Sequence, residues 1–397
     1  MIVVGGTYSE LCREPGPDGV TSTLGGSGLR AAAALRGVCP EVTLHSAIDE
    51  RTEEEALIVA ETLGLDVRWR QRAEPVAFRY WTPLSAPTID GPNAAAERIE
   101  VDGDSALVFG MIEGGPHAQA DGLVFDPQQP RNLGALNLDG LSARRLAVVA
   151  NAAETRAMTG EKDLHVAARA LRERSGADVI VTKRAARGAL VTTADAQEMV
   201  GPWPTRRVWP IGSGDVFAAG FAWAWLEGGA DPIEAARAGS FAASRWCSDR
   251  NLDLRPEDFE PGDGQLDTSD GRVYLAAPFF DLGQRWLVEL TADALSGLGG
   301  EVFSPFHDIG IGDDEVAQAD IDGLKGCTAL LALLDDTDAG SVFEAGWANH
   351  HGLPIVVYTE QPDREDLKML RGTGAELHTD LPTAVYRALW ASMGMAL

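Results

Sequence analysis

The chain has 397 residues, 45% apolar and 23% charged, an ordinary globular balance but long for one core, which predicts two domains. Asp and Glu outnumber Lys and Arg by 60 to 33, a formal charge of −27, and such a surface repels nucleic acid and anionic lipid. Any anionic substrate must then be captured by local positive features rather than by the overall field.

The four cysteines, Cys12, Cys39, Cys247 and Cys327, are scattered without a Cys-x-x-Cys pair and are expected as reduced thiols. No apolar stretch approaches membrane-spanning length, and Met1-Ile2-Val3-Val4-Gly5-Gly6 lacks a basic lead and a signal core. A cytoplasmic location is the expectation.

Ile2–Gly6 reads as a short buried strand ending in glycine, and Leu24–Leu35 as a Gly-rich turn entering an Ala-rich helix. Val42–Ile48 follows as a strand, Glu53–Leu63 as a helix and Val67–Arg70 as a strand. Pro75–Thr82 and Glu97–Val101 are short, alternating and β-like. Strands are expected at Ala106–Gly110, Gly122–Asp126 and Arg145–Val149, with helices at Leu141–Ala143 (very short), Glu154–Thr159 and Leu164–Arg174. Val179–Lys183 and Gly188–Thr192 close this β-rich part.

In Ile211-Gly212-Ser213-Gly214-Asp215, two glycines one residue apart precede an apolar run, Val216–Leu226, that predicts a helix. Glycines let backbone N–H groups converge, and a helix N-terminus adds partial positive charge, so the spot suits an anion such as a transferring phosphate. Asp215 at the helix mouth is placed to accept a proton from an attacking hydroxyl. The bland reading is a plain loop. Asn151-Ala152-Ala153-Glu154 has two readings as well, a phosphate-site motif or a helix N-cap with Glu three residues on.

These motifs, in this order over residues 1–255, resemble the PfkB/ribokinase family of sugar and nucleoside kinases. The resemblance implies a ribokinase-like three-layer α/β domain using ATP and Mg²⁺, with Asp215 as catalytic base and Gly212, Ser213 and Gly214 as the anion hole. It implies that Asn151 and Glu154 organise Mg²⁺ and the phosphates, Glu154 indirectly, and that Lys183 stands before the nucleotide site. It also implies that 75–82 and 97–101 belong to a small sheet capping the sugar. Gly25 and Gly26 match the family's Gly-Gly-x-x-x-Asn, which lines the sugar pocket, but Arg30 replaces the Asn and is expected to bind an anionic group of the substrate. Ala185 stands where glycine is usual, and Trp209-Pro210-Ile211 where the family reads Asp-Thr-x.

Pro232–Trp246 predicts another helix, and 256–271 is acidic and rich in Gly and Pro, a linker composition that marks a domain boundary. From Arg272 strand and helix alternate: strand Val273–Ala277, helix Gly283–Leu298, strand Glu301–Phe303, loop Ser304–Gly310, helix Asp313–Leu324, strand Ala329–Leu334, helix Val342–His351, strand Pro354–Tyr358, and helices Arg364–Leu370 and Pro382–Met393. That predicts a smaller flavodoxin/Rossmann-like parallel α/β domain over 272–397, its active face at the strand C-ends.

Tyr274-Leu275-Ala276-x-Pro278-Phe279 with Asp338-x-Gly340-Ser341-x-x-Glu344 resembles the nucleoside 2-deoxyribosyltransferase family, which includes nucleoside monophosphate N-glycosidases. Cleaving an N-glycosidic bond passes through an oxocarbenium-like state that a carboxylate can trap. The resemblance implies Glu344 as nucleophile, Tyr274 orienting it, Asp338 holding the 5′ end of the sugar and Asp320 handling the leaving-group proton. Pro278, Phe279, Gly340 and Ser341 are implied substrate contacts, with no cofactor. A carboxylate at 338 repels a 5′-phosphate, so a nucleoside with a free 5′-hydroxyl is expected. The bland alternatives are a solvated Glu344, a capping Asp338 and a core Tyr274. His307, His350 and His351 lack partners at ligand spacing, so no structural zinc is expected.

The two resemblances together predict a fused enzyme of nucleoside salvage or degradation, its partners small nucleosides or pentoses, assembled as a homo-oligomer. The glycosidic step is expected first and phosphorylation of the sugar second. The reverse order is the alternative, as is a kinase half that has become a ligand-binding or assembly module.

Overall fold

The computed structural model describes residues 1–13, 19–91, 98–112, 115–128, 132–310, 312 and 316–397. The chain forms two compact units. One comprises 1–184, 188–203 and 209–263, the other 185–187, 204–208 and 264–397.

The first unit is built on a sheet whose strands run, edge to edge, Gln197–Val200, Ala189–Thr192, Val179–Lys183, Leu141–Asn151, His117–Asp126, Glu100–Phe109, Ile2–Val4, Thr43–Ile48 and Asp66–Gln71. All neighbours are parallel except at the Ala189–Thr192 hairpin edge. The strand centres are apolar on both faces, because successive side chains alternate and both faces are covered. Val3, Leu107, Phe109, Val124, Val149 and Val181 face one core, shared with helices Ser27–Leu35, Ser213–Ala222 and Pro232–Asp249. Val4, Val108, Leu123 and Phe125 face the opposite side, as do Val148 and Ile180 against helix Leu164–Ser175. Helices Ser213–Ala222 and Pro232–Asp249 approach closely at Gly239, where a Cβ would lie 2.6 Å from the Phe217 carbonyl oxygen.

A second, small sheet is ordered Thr21–Gly25, Tyr8–Cys12, Ala77–Tyr80, Thr88–Asp90. Glu10 pairs with Phe78 and Cys12 with Tyr80, so Tyr8, Glu10, Phe78 and Tyr80 share one face.

Several expectations give way here. Leu141–Ala143 is not a helix but the start of a long strand, held in parallel register against Ala118–Ala120. The expected segment 97–101 opens on Glu97, outside the described residues. Its Glu100 and Val101 belong to the main sheet rather than the small one, because Glu100–Phe109 pairs with His117–Asp126 along its whole length. The polar Asp102-Gly103-Asp104 in the middle of that strand imitates a turn. The helix expected over Val216–Leu226 ends at Ala222 and continues as a wider π turn, Trp223–Glu227. Phe259, inside the stretch expected as linker, is buried in the core of the first unit.

In the second unit five parallel strands stand in the order Glu301–Phe303, Arg272–Ala276, Ala329–Leu333, Ile355–Tyr358, Glu376–His378. Strand order reverses between Arg272–Ala276 and Ala329–Leu333, the place where open α/β sheets bind ligands. Its helices start where aspartates cap them: Asp281 before Leu282–Gly297, Asp338 before Ala339–His350 and Asp380 before Leu381–Ser392. The loop expected at Ser304–Gly310 contains a short helix, Pro305–Asp308. The helix expected from Asp313 opens outside the described residues and is seen as Ala317–Lys325. Among the described residues no helix is long and apolar enough to cross a membrane.

Candidate active sites

In the first unit a cleft of about 430 Å³ opens between the small sheet and the C-terminal ends of the main strands. Arg30, Asn151, Glu154, Gly212, Gly214 and Asp215 line it, among the residues expected there. Gly212 caps helix Ser213–Ala222 with φ +82°, a left-handed conformation that favours glycine, and a Cβ there would strike the Arg30 guanidinium. Ser213 starts the same helix but is not part of the cleft wall, and neither are Gly25 and Gly26.

Asp215 projects from the first turn of that helix and both its oxygens are engaged. Oδ2 accepts from Arg30 Nη1 at 2.5 Å, and Oδ1 from Gln128 Nε2 at 2.6 Å. Arg30 Nη2 donates to Glu10 Oε2 at 2.5 Å. The three charged residues are only 8% (Glu10), 5% (Arg30) and 7% (Asp215) exposed. Trp246 lies 5.5 Å from the guanidinium. Burial disfavours the charge on Arg30, but Glu10 and then Asp215 outweigh it and hold its pKa above the ordinary value. Arg30 thus stands in the cleft as expected, but its cation is held between two carboxylates rather than left free for an anionic substrate.

Beside the cleft three strand C-ends and one helix start come together. Asn151 Oδ1 accepts from the Glu154 N–H at 2.8 Å and Glu154 Oε2 accepts from the Asn151 N–H at 2.8 Å, so the motif is a true capping box and also lines the cleft. Lys183 donates to Asp126, and its Nζ stands 3.2 Å from where a Cβ on Gly214 would be, beside the helix N-terminus. Burial pushes the Asp126 carboxyl up to about 7, the Lys183 charge opposing and Glu154 adding to the rise. Asp126 Oδ1 is buried with no hydrogen-bond partner. A carboxylate pair with an orphaned oxygen next to an anion site fits a divalent cation held mainly by phosphates.

Sequence reading missed Tyr8, Glu10, Phe78, Tyr80, Asp126 and Gln128. The alternation in Thr7-Tyr8-Ser9-Glu10-Leu11-Cys12 was the available signal for the first two, and the polar end of the apolar run Gly122–Asp126 for Asp126.

In the second unit Tyr274, fully buried and stacked on Phe303 at 5.5 Å, donates its hydroxyl to Glu344 Oε1 at 2.7 Å. Burial raises the Glu344 pKa to about 7; the Tyr274 hydrogen bond opposes this, and Asp320 and Asp338 add to it. Burial also raises Asp320. Asp338 Oδ1 accepts from the N–H groups of Gly340 (2.8 Å) and Ser341 (3.1 Å), while its Oδ2 is buried without a partner, as is Asp320 Oδ1. Tyr274, Asp320, Asp338 and Glu344 are therefore one electrostatic cluster. Gly340 and Ser341 support it through the Asp338 cap.

A separate cleft of about 260 Å³ sits at the strand-order reversal, lined by Ala277, Pro278, Gln284, Leu287, Asp335 and Asp336 among others, but not by Glu344. Phe279 stacks on Phe280 and leans on Phe306. His307 contacts Ser304 and Glu289, and His351 stacks on Trp347. Among the described residues no group of three His, Cys, Asp or Glu stands together as a metal site.

The first unit has the ribokinase-like α/β fold, a large mainly parallel sheet with a small sheet beside its ligand cleft, and the second is a five-strand parallel α/β domain. Residues 117–256 match the model of the pfkB family carbohydrate kinases, and residues 273–377 that of the nucleoside 2-deoxyribosyltransferases. The chain thus joins a PfkB-family kinase domain to a nucleoside 2-deoxyribosyltransferase-family domain. Among solved structures it resembles the fructokinase of Vibrio cholerae O395, bound to fructose, ADP and calcium, at 14% identity and a TM-score of 0.52 over 65% of this chain and 97% of that one. The ribokinase of Thermotoga maritima aligns at 18% identity, TM-score 0.49, over 65% of this chain and 97% of that one. A nucleoside kinase of Methanocaldococcus jannaschii aligns at 13% and 0.45 over 64% and 94%. No curated protein matches the chain significantly.

Proposed function

We propose that the chain is a two-site enzyme of nucleoside metabolism, one site breaking or exchanging an N-glycosidic bond and the other phosphorylating a pentose or nucleoside with ATP. The observation that carries the reading is the Tyr274–Glu344 hydrogen bond inside a cluster of four acidic or phenolic groups without a cation among them.

In the glycosidic step a Glu344 oxygen forms a bond to C1′ as the C1′–N bond breaks. Asp320, whose pKa burial raises, holds the proton that passes to the departing base. Tyr274 keeps the nucleophile oriented and favours its ionised form. Water or a second base then takes the sugar from Glu344 and returns the proton. The unpartnered Asp338 Oδ2 accepts from a 5′-hydroxyl and repels a 5′-phosphate.

In the phosphoryl step the acceptor oxygen bonds to the γ-phosphorus as the bond to ADP breaks, and the hydroxyl proton passes to Asp215. A carboxylate has about four lone-pair sites, so Asp215 retains acceptor capacity beside Arg30 and Gln128. Lys183 and the N–H groups at Gly212–Gly214 neutralise the transferring phosphate. Asp126 and Glu154 are the groups that would hold Mg²⁺, which would supply positive charge to offset that of the phosphates.

Product analysis with nucleosides and their 5′-monophosphates, with and without ATP–Mg²⁺, tests the reading. Free base from nucleosides without ATP, and an ATP-dependent phosphorylated product, are expected. Base release from monophosphates but not from nucleosides would overturn the assignment of Asp338.

A further inference from the structure

The first unit's cleft joins two kinds of lining. Asp215 and Glu10 stand with Arg30 between them. Beside them the wall is made by Tyr8, Phe78, Tyr80, Pro87, Met111 and Leu133. The small sheet makes this wall: Tyr8 and Phe78 stack at 4.2 Å with 18° between their planes, on the same face as Glu10 and Tyr80.

We propose that the acceptor in this cleft is an uncharged nucleoside, its base against the aromatic wall and a sugar hydroxyl at Asp215; this rests on the phosphoryl-transfer reading above. A free pentose is hydroxylated all round and leaves an apolar wall of this kind wet, whereas a planar base removes it from water and gains stacking. The volume, about 430 Å³, lies in the range of roughly 300–1,000 Å³ that suits ligands larger than a lone pentose. Charge excludes the phosphorylated and carboxylated alternatives. Two buried carboxylates face one guanidinium in the cleft, so an added anion meets net negative charge and finds Arg30 already bonded to both. The reaction balances as a hydroxyl oxygen bonded to the γ-phosphoryl group, ADP released and the proton on Asp215, giving a nucleoside monophosphate.

The test uses the full chain carrying Glu344→Gln, so that nucleoside is not consumed by the second unit. Calorimetry compares a nucleoside, ribose, ribose 5-phosphate and a nucleoside 5′-monophosphate. Each is measured in this background and with Phe78→Leu or Leu133→Ala added. Leu133 is 40% exposed, so its replacement reports on the cleft without touching the core. The nucleoside is expected to bind at least about tenfold more tightly than ribose, and either substitution to reduce that ratio by about tenfold. Ribose binding as tightly as the nucleoside, or nucleoside binding indifferent to both substitutions, overturns the inference. Turnover with ATP–Mg²⁺ separates the two readings. Phe78-dependent nucleoside binding without phosphoryl transfer defeats the kinase reading and leaves the acceptor assignment standing. Faster phosphorylation of ribose than of nucleoside defeats the assignment and leaves the kinase reading.

Discussion

The two sites surround their carboxylates differently. In the first unit Asp215 and Glu10 share one arginine, and Asp126 has Lys183, so these three acidic groups have a cation within hydrogen-bond reach. In the second unit Glu344, Asp320 and Asp338 have none among the described residues, and Glu344 rises to about 7 as a result of burial and of its neighbours. Asp215 is fixed in place by Arg30 and Gln128, which suits the residue proposed to receive a proton late in a transfer. An unpaired cluster holds protons near neutral pH, which suits a site that must both attack carbon and protonate a leaving base. If the acceptor of the first site is a nucleoside and Asp338 refuses a 5′-phosphate, the two sites draw on one substrate and compete for it rather than pass it on.

The sharpest way to break this comparison is to remove each carboxylate singly. Glu344→Gln is expected to cost base release about 10⁴-fold or more, because no other group can trap C1′, while leaving phosphoryl transfer intact. Asp215→Asn should cost phosphoryl transfer about 10²–10⁴-fold and leave base release unchanged. Chromatography of both products from each variant checks this. If Asp215→Asn leaves phosphoryl transfer unaffected, Asp215 is not the base of that reaction. Arg30→Met tests the pairing itself: it leaves Glu10 and Asp215 buried without their cation and is expected to lower unfolding stability by about 3–5 kcal/mol. A denaturant titration in which Arg30→Met unfolds with the parent would mean that the two carboxylates find other partners.

How much of this was legible in the sequence differs between the two units for a physical reason. In the second, the strands are short apolar runs and the site lies on local motifs, so Tyr274, Asp338 and Glu344 were readable in order. In the first, the glycines around Asp215 and the Asn151–Glu154 box were readable because their geometry is local. The partners of Asp215 were not. Gln128, which donates to Asp215, follows the end of strand His117–Asp126, and Glu10, which holds Arg30, sits mid-strand in the small sheet, so only tertiary register brings them to the Arg30–Asp215 pair. The strand Glu100–Phe109 was split in two because its protruding half is polar and has a glycine, and burial was the only thing that would have joined the halves. Arg30 shows the limit best. The residue type announced a cation in the cleft, but not that two carboxylates already held it.

Tyr274→Phe probes the second cluster more gently. Losing a hydrogen bond to an ionised carboxylate is worth about 1.5–3 kcal/mol, so base release should fall about 10–100-fold. The residual activity should also need a higher pH, because the Tyr274 hydrogen bond opposes the rise in the Glu344 pKa. The pH profile of the parent follows from the same value. Nucleophilic Glu344 is ionised above about 7, so base release should climb through that pH. Stability moves the other way. A carboxyl whose folded pKa is raised contributes fully below its unfolded value near 4.5 and loses that contribution as pH rises through about 7. Glu344→Gln should therefore be more stable than the parent at pH 8 by about 1–2 kcal/mol, and equal to it at pH 4. Thermal melts at the two pH values check both signs, and a variant less stable at pH 8 would mean that Glu344 is held ionised after all.

The smallest effect separates charge from capping at one residue. Asp338 caps helix Ala339–His350 with Oδ1 and leaves Oδ2 buried and unpartnered. Serine is as good an N-cap as aspartate, so Asp338→Ser should change stability by less than about 0.5 kcal/mol. What it removes is the negative charge proposed to face the 5′ position of the sugar. The ratio of nucleoside monophosphate to nucleoside cleavage is expected to rise several-fold, through better binding of the monophosphate rather than faster chemistry, because residue 338 does not touch the bond that breaks. A lower KM for the monophosphate with kcat unchanged would show the two sites kept apart by a single carboxylate. An unchanged ratio, with stability also unchanged, would reduce Asp338 to a helix cap and remove the reason for the two sites to compete.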